Sequence, residues 1–352
     1  MARILYGVMG DARGHVNRAR TVAQGMPHHE FLFVGAGRVH DLRADGYSVE
    51  AVPMAATLYR NNRVDIPRTL ANAFRVFGGK KEVVRRIARV IDDYDPHLIL
   101  TDYEFFTPRA AIMRGRPCVS LDHQHVLTHC HYQPPAGQRL SRAMTCFAVR
   151  QLYSKASVFL VVSFFPLPVK DPKTTVLLPP LIRGAVLRYS PTDGEHVLVY
   201  QTSPTFFQLF PVLERMKTRF IVYGFGDRPS RKNIMFKGPS DDGFLEDLAS
   251  ARYVITNGGH NVISEALYLG KPVFSFPIAN AYEQFVNSYF LAQCGYGAYS
   301  CSPKPSPDIL ASFESKLESY RTAIRGRNFF GNQDMLHVVD HLTSSGGLIP
   351  AA

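Results

Sequence analysis

The sequence predicts an α/β protein of two domains, each a parallel sheet wrapped by helices. Three observations carry this expectation. Apolar, β-branched runs of strand length alternate with helical or loop segments: RILYGVM, EFLFVGA, HLILTD, RPCVSLD and VFLVVS in the first half, then HVLVYQTS, RFIVYGFG, NIMFKG, ARYVITNGG and PVFSFP in the second. Alternation of that kind argues for parallel strands covered by helices on both faces. Prolines crowd at 166, 168, 172, 179, 180 and 191, a density that predicts an irregular linker between the halves. The length, 352 residues, is long for one core and comfortable for two. The chain is therefore read as two Rossmann-like domains facing a central cleft, at 1–165 and 191–330. A linker at 166–190 joins them, and a C-terminal helix with a loose tail follows from 331.

Composition narrows the class. Hydrophobic residues make up 46% and charged residues only 20% of the chain, the balance of a protein that builds a core. A net charge of +11 suits an acidic partner: anionic lipid, a phosphorylated substrate or nucleic acid. No RNA- or DNA-binding motif is present, so nucleic acid is not expected. Five cysteines (118, 130, 146, 294, 301) are scattered without a C-x-x-C pair, which suits reduced thiols in the cytoplasm. The start, MARILYGVMG, enters a strand at once and does not resemble a signal peptide. The longest apolar stretch, Ala156 to Val169, contains Ser163 and two prolines and falls short of the ~20 residues that span a bilayer. A soluble or peripheral protein is expected.

The elements that carry chemistry follow in chain order. The first strand closes in Tyr6-Gly7-Val8-Met9-Gly10-Asp11-Ala12-Arg13-Gly14-His15, a glycine-rich turn into a helix that lacks the G-x-G-x-x-G spacing. His15 stands at that helix start, where an imidazole can project into the cleft. Lys80 to Ile91 is the most basic helical run: Val83, Val84, Ile87, Val90 and Ile91 form one apolar stripe, while Lys81, Arg85, Arg86 and Arg89 face elsewhere. It reads either as a core helix with a solvated basic face or as a dock for anionic lipid. Asp102 closes the strand HLILTD. Asp122-His123-Gln124-His125 follows RPCVS at another carboxyl end, where ligands of open α/β sheets gather. Pocket lining and a satisfied structural cluster are both open. With His129 and His131 the spacing fits no standard zinc pattern, and no metal is expected.

Residues 254–287, VITNGGHNVISEALYLGKPVFSFPIANAYEQFVN, are the most informative segment. VIT is a buried strand, Asn257-Gly258-Gly259-His260-Asn261 a turn, and VISEALYLG a helix. A strand that breaks at paired glycines and restarts as a helix presents free backbone N–H groups, with the helix dipole behind them, to a phosphate. The unit can hold a sugar nucleotide, with the glycines at the pyrophosphate, Glu265 at ribose hydroxyls, and Glu283 and Gln284 at sugar hydroxyls.

This segment resembles the donor-binding signature of the GT-B glycosyltransferases, shared by the plant and antibiotic enzymes and by the lipid-linked N-acetylglucosaminyltransferase of peptidoglycan synthesis. The order glycines, helix, Glu, Gly-x-Pro, Pro, acid–Gln is kept over some thirty positions. Many family members carry histidine where Asn257 stands; asparagine donates a hydrogen bond there without a charge, and His260 lies three positions on. The Asp-His-Gln-His stretch is similar to one in a little-characterised prokaryotic branch and implies acceptor binding by Asp122, His123 and His125. The resemblance implies a hexosyltransferase that is inverting and metal-independent. Its donor would be a nucleoside-diphosphate sugar, commonly UDP-linked, and its acceptor a small molecule, a glycan or a lipid-linked sugar. It also implies His15 as the base that takes the acceptor proton, with Asp102 orienting it. Gly14, Thr202, Ser203, Gly224 and Phe236 join Asn257, Gly258, Gly259, His260, Asn261, Glu265, Glu283 and Gln284 as donor residues. The segment from Leu58 through Phe77 and the basic helix after it resemble the membrane-facing side of the peptidoglycan enzyme. Two other activities fit the same pocket: a nucleotide-sugar hydrolase or epimerase, and a non-catalytic sugar-nucleotide or glycolipid-binding protein.

Overall fold

The computed structural model describes residues 1–347. It contains two compact units: Met1–Leu58, Asp65–Leu181 and residues 330–347 form the first, and Tyr59–Val64 with Ile182–Phe329 the second. The last five residues of the expected loose tail lie outside the described residues.

The first unit holds seven parallel strands, β1 (Arg3–Val8), β2 (Glu30–Gly35), β3 (Ser48–Ala51), β6 (Leu98–Asp102), β7 (Val119–Asp122), β8 (Val158–Val162) and β9 (Thr175–Leu178), in the order β3-β2-β1-β6-β7-β8-β9. All five strands expected in this half are present. β3 escapes sequence reading because its residues are half-buried or exposed at a sheet edge, so no apolar run marks it. β9 corrects the linker expectation. Thr175–Leu178 lies inside the proline-rich stretch yet pairs with β8; as an edge strand between Pro172 and Pro179 it is bounded by proline without being interrupted.

Helices of this unit are α1 (Arg13–Gly25), α2 (Ile66–Phe77), α3 (Lys80–Tyr94), α4 (Thr107–Met113), α5 (Val126–His129) and α6 (Arg139–Ala148). α1 buries Val16, Ala19, Val22 and Ala23 against β1 and β2 residues such as Tyr6 and Phe33. α3 buries Val84, Ile87, Ala88 and Ile91 with Leu5 and Ile99, while Lys80, Lys81, Arg85, Arg86 and Arg89 stay exposed. Its apolar stripe is therefore core, and only its charges face water.

The second unit repeats the plan with six parallel strands, β10 (His196–Tyr200), β11 (Arg219–Tyr223), β12 (Ile234–Phe236), β13 (Val254–Thr256), β14 (Val273–Ser275) and β15 (Gly297–Tyr299), ordered β12-β11-β10-β13-β14-β15. Its helices are α7 (Phe210–Leu213), α8 (Asp241–Ala249), α9 (His260–Tyr268), α10 (Tyr282–Gln293), α11 (Pro307–Glu314) and α12 (Leu317–Ile324). A hairpin, β4 (Tyr59–Arg60) with β5 (Arg63–Val64), belongs to this unit although it sits early in the chain. Ala279 N–H donates to Asn62 O, Val64 N–H to Ala279 O, and Asn62 N–H to Thr205 Oγ1. The last helix, α13 (Asn332–Ser344), returns to the first unit, burying Met335, Val339 and Leu342 in the core that α1 shares.

Each sheet reverses its strand order once, between β1 and β6 in the first unit and between β10 and β13 in the second. Outside the carboxyl ends of such a pair the connecting chains diverge to opposite faces, and a crevice opens there that loops can line.

Candidate active site

At the first reversal Val8 pairs with Asp102 across β1 and β6, so the turn after β1 and the end of β6 are neighbours. Gly10 is required in that turn: a Cβ there would lie 1.7 Å from the carbonyl oxygen of Ala36. The helix that follows places His15 and Arg18 one turn apart on the side facing the sheet. His15 Nδ1 lies 2.6 Å from Asp102 Oδ1. Arg18 donates from Nε to Asp102 Oδ2 at 2.7 Å and from a terminal nitrogen to Oδ1 at 2.8 Å. All three are buried. Burial alone would lower the pKa of Arg18, but Asp102 beside it outweighs that and raises it. The expected His15–Asp102 pair is thus in contact, and Asp102 caps no helix. Tyr103, next in the chain, has φ +54, a left-handed conformation uncommon for a residue with a side chain. Its ring stacks on Tyr153 at 3.9 Å between centroids and on His15 at 6.0 Å.

Asp122, His123 and His125 are each only 1% exposed. Asp122 accepts from Ser120 Oγ, His125 N–H and His125 Nδ1, and His123 Nδ1 donates to Val162 O at 2.7 Å. Burial would raise the Asp122 pKa, but His125 and these hydrogen bonds reverse it, holding the carboxyl well below the usual range. The stretch is an internal brace between β7, β8 and α5, and of the two readings open for it these hydrogen bonds fit the satisfied structural cluster.

At the second reversal the loops after β10 and β13 meet. Thr202 Oγ1 donates to Asn257 Oδ1 at 3.2 Å. Gly258 has φ +86, and a Cβ on it would lie 2.6 Å from Gln284 O and 2.8 Å from Ser288 Oγ, so only glycine fits. Gly259 is the N-cap of α9 and makes no side-chain cap bond; a helix start of this kind suits an anion. His260 begins that helix and is buried, with Nδ1 3.4 Å from Asn261 Oδ1. Around the turn, Asn257 Nδ2 and both amide atoms of Gln201 are buried with no hydrogen-bond partner.

Three expected donor residues are already engaged. Glu265 is held by Arg183, Nε to Oε1 at 2.6 Å and a terminal nitrogen to Oε2 at 2.8 Å, a two-pronged pair that fixes the carboxylate. Gln284 Oε1 accepts from Ile278 N–H, leaving its amide nitrogen as the group to offer. Asn287 donates from Nδ2 to Glu283 Oε1 at 3.2 Å and to Gly258 O at 3.0 Å, tying the acid to the glycine turn. Ser203 is buried, its Oγ 3.4 Å from Thr205 Oγ1. Phe236 pairs through its backbone within the β11–β12 ladder, and its ring packs in the core against Phe210.

Sequence reading missed Arg18, Arg183, Asn287 and Gln201. Arg18 carried a signal, a cation on the apolar stripe of α1 three residues after His15. Asn287 carried a weaker one, four residues after Glu283 on one helix face. Arg183 follows the prolines, and nothing local announces its partner. Among the described residues, His28, His29 and Asp340 bring their ligand atoms within 4.8 Å of one another. His29 Nδ1 accepts from Ala2 N–H, so Nε2 of the neutral ring carries the proton and donates to Asp340 at 2.9 Å; the group is a tether for α13.

Two parallel α/β units, one with a histidine–carboxylate pair at its strand reversal and the other with a glycine turn before an open helix end, define the GT-B class of protein. Solved structures share the fold. A Phytolacca americana UGT2 complexed with UDP-2fluoro-glucose and pterostilbene aligns with a TM-score of 0.68 and 15% identity over 98% of this chain and 99% of its own. MurG from Acinetobacter baumannii aligns with a TM-score of 0.61 and 13% identity over 97% of this chain and all of its own. A family model described as glycosyl transferase family 1 matches residues 2–318, and the chain belongs to that family: it is a glycosyltransferase. A curated relative from Methanosarcina acetivorans, an uncharacterized glycosyltransferase, is 22% identical over 92% of both chains.

Proposed function

We propose that the protein moves a sugar from a nucleoside diphosphate, with uridine as the base, to an acceptor hydroxyl, inverting the anomeric centre without a divalent ion. The observation that carries this reading is the 2.6 Å contact of His15 Nδ1 with Asp102. A proton on Nδ1 leaves Nε2 as a base, and an acceptor hydroxyl needs one with a pKa near neutrality. Nε2 takes the hydroxyl proton, the oxygen attacks the anomeric carbon, and the bond to the diphosphate breaks. The charge that develops on the leaving diphosphate meets the N–H groups at Gly258, Gly259 and the start of α9. A single displacement of this kind inverts. Glu265, pre-set by Arg183, accepts from ribose hydroxyls; Glu283 and Gln284 serve the sugar.

One observation favours a lipid-linked acceptor over a soluble one. α6 exposes Leu140, Met144 and Phe147, one stripe at i, i+4 and i+7. Arg139, Arg142 and Arg150 are exposed on and just beyond the helix. No acidic residue occurs between Asp122 and Asp171. No helix among the described residues is long and apolar enough to cross a membrane. This reading puts the enzyme on the cytoplasmic face of an anionic bilayer, touching it through α6 and not through the apolar stripe of α3.

The test is a thermal-shift panel of UDP, GDP, dTDP and CMP with their sugars, on wild type and Glu265→Ala, followed by sugar transfer with wild type and His15→Ala. A rise with the uridine series alone, absent in Glu265→Ala, supports the donor reading. No shift with any nucleotide overturns it. Cosedimentation with anionic but not zwitterionic vesicles, lost in Phe147→Ser, tests the lipid reading.

A further inference from the structure

We propose that Arg18 is a positioning residue that sets the protonation form of His15, holding its proton on Nδ1 and leaving Nε2 as the free base. The inference rests on the reading of His15 as that base, and it is carried by counting donors and acceptors around Asp102.

Both Asp102 oxygens accept from Arg18, at 2.7 and 2.8 Å. A guanidinium has donors only, and two charge-assisted bonds from it keep a buried carboxyl ionised. An ionised carboxyl can only accept, so the 2.6 Å contact between Asp102 Oδ1 and His15 Nδ1 requires the hydrogen on Nδ1. Arg18 also lies 3.2 Å from Nδ1. Because Nδ1 already donates to Asp102, that approach brings two donors together, and it is electrostatically unfavourable to a further positive charge on the ring. Arg18 thus acts in two ways. It makes Asp102 a fixed acceptor that selects one tautomer, and its charge offsets the carboxylate that would otherwise hold His15 as imidazolium.

The other groups facing the ring do not supply this balance. From the turn before α1 comes Asp11, a carboxyl that interacts with His15 and has its pKa raised by burial. From β1 comes the hydroxyl of Tyr6, buried and without a hydrogen-bond partner, whose pKa is raised first by burial and next by Asp102. Beyond β6 stands the uncharged ring of Tyr103. From β7 comes Asp122, which acts on Arg18 and Tyr6. Arg18 is the cation in this set. In sequence it is the one charged residue of α1 that is buried, at 3% exposure, which a surface helix has no packing reason to place there.

The tautomer and titration of a histidine are read directly by long-range proton–nitrogen NMR on protein labelled at histidine nitrogen. The chain has thirteen histidines, and the His15 signals are assigned as those missing from His15→Gln. In wild type the neutral form is expected to show hydrogen on Nδ1. In Arg18→Met the imidazolium form is expected to persist to a pH about one unit higher or more, since removing a neighbouring positive charge favours the charged ring. Arg18→Lys, which keeps the charge, is expected to return the midpoint most of the way and serves if Arg18→Met does not fold. Hydrogen on Nε2 in wild type, or an unmoved midpoint in Arg18→Met, overturns the proposal. A purely structural Arg18 would change stability and leave both readings where they are. Failure of the base reading shows elsewhere, as sugar transfer that survives His15→Ala.

Discussion

The two strand reversals of this molecule are alike in topology and differ in how their polar side chains are satisfied. At the first, both oxygens of the Asp102 carboxylate are used, by Arg18 and His15, and the buried Tyr6 hydroxyl beside them is the group left without a partner. At the second, Gln201 and Asn257 bury amide atoms that have no hydrogen-bond partner, beside a helix start with no side-chain cap. Buried polar atoms without partners are rare in folded proteins because each costs about 1–3 kcal/mol. On the proposed function, the difference means that the first unit holds a prebuilt proton acceptor, whereas the second is organised for a polar ligand that completes its hydrogen bonds.

That contrast can be broken in several ways. His15→Ala is expected to lower sugar transfer by about 10²–10⁴-fold while nucleotide-induced thermal shifts stay unchanged; loss of both would show that the two sites are not chemically separate. Asp102→Asn leaves Arg18 buried and unpaired, and a stability loss of about 3–5 kcal/mol in urea denaturation is expected. A neutral result would mean the Asp102 carboxylate is not paired in the way its geometry implies.

The internal brace supplies a pH test of the same kind. Asp122 has its folded pKa depressed, so its contribution to stability is complete above the unfolded carboxyl value of about 3.9 and is lost as pH falls toward the folded value. Asp122→Asn should therefore flatten the fall of melting temperature below about pH 4, and an unchanged acid slope would contradict the pairing with His125.

Gln201→Met sharpens the comparison from the other side. Removing two unpaired buried atoms at similar volume is expected to leave the free protein equally stable or up to about 1 kcal/mol more stable. Donor affinity should fall in the same variant, measured by calorimetry; weakened folding with unchanged affinity would reverse the assignment. The smallest effect is expected at the half-exposed tether of α13. Asp340→Asn should cost well under about 1 kcal/mol, seen as a small drop in melting temperature near neutral pH, because exposed pairs are screened by solvent.

Much of this was legible in the chain. The strands that form both sheet centres were visible as apolar runs, and the turn at Gly258 was visible because a left-handed backbone and a close approach admit no side chain. What sequence left open was which way side chains such as those of His123 and His125 turn, since they follow a strand end where one position decides between ligand and core. The edge strand β3 was hidden because an edge does not need a continuous apolar run, and β9 because the prolines around it read as a linker.

By itself, then, the sequence determined the α/β class, the two-sheet plan and the glycine turn, since each depends on residues within a few positions of one another. Tertiary structure alone decided the pairings that give the sites their chemistry. His15 and Asp102 are 87 residues apart, and Arg183 and Glu265 are 82 apart. Parallel strands bring such residues together only through crossovers, so which charge meets which is set by strand order and register. Those are properties of the assembled sheet, and no local stretch of chain contains them.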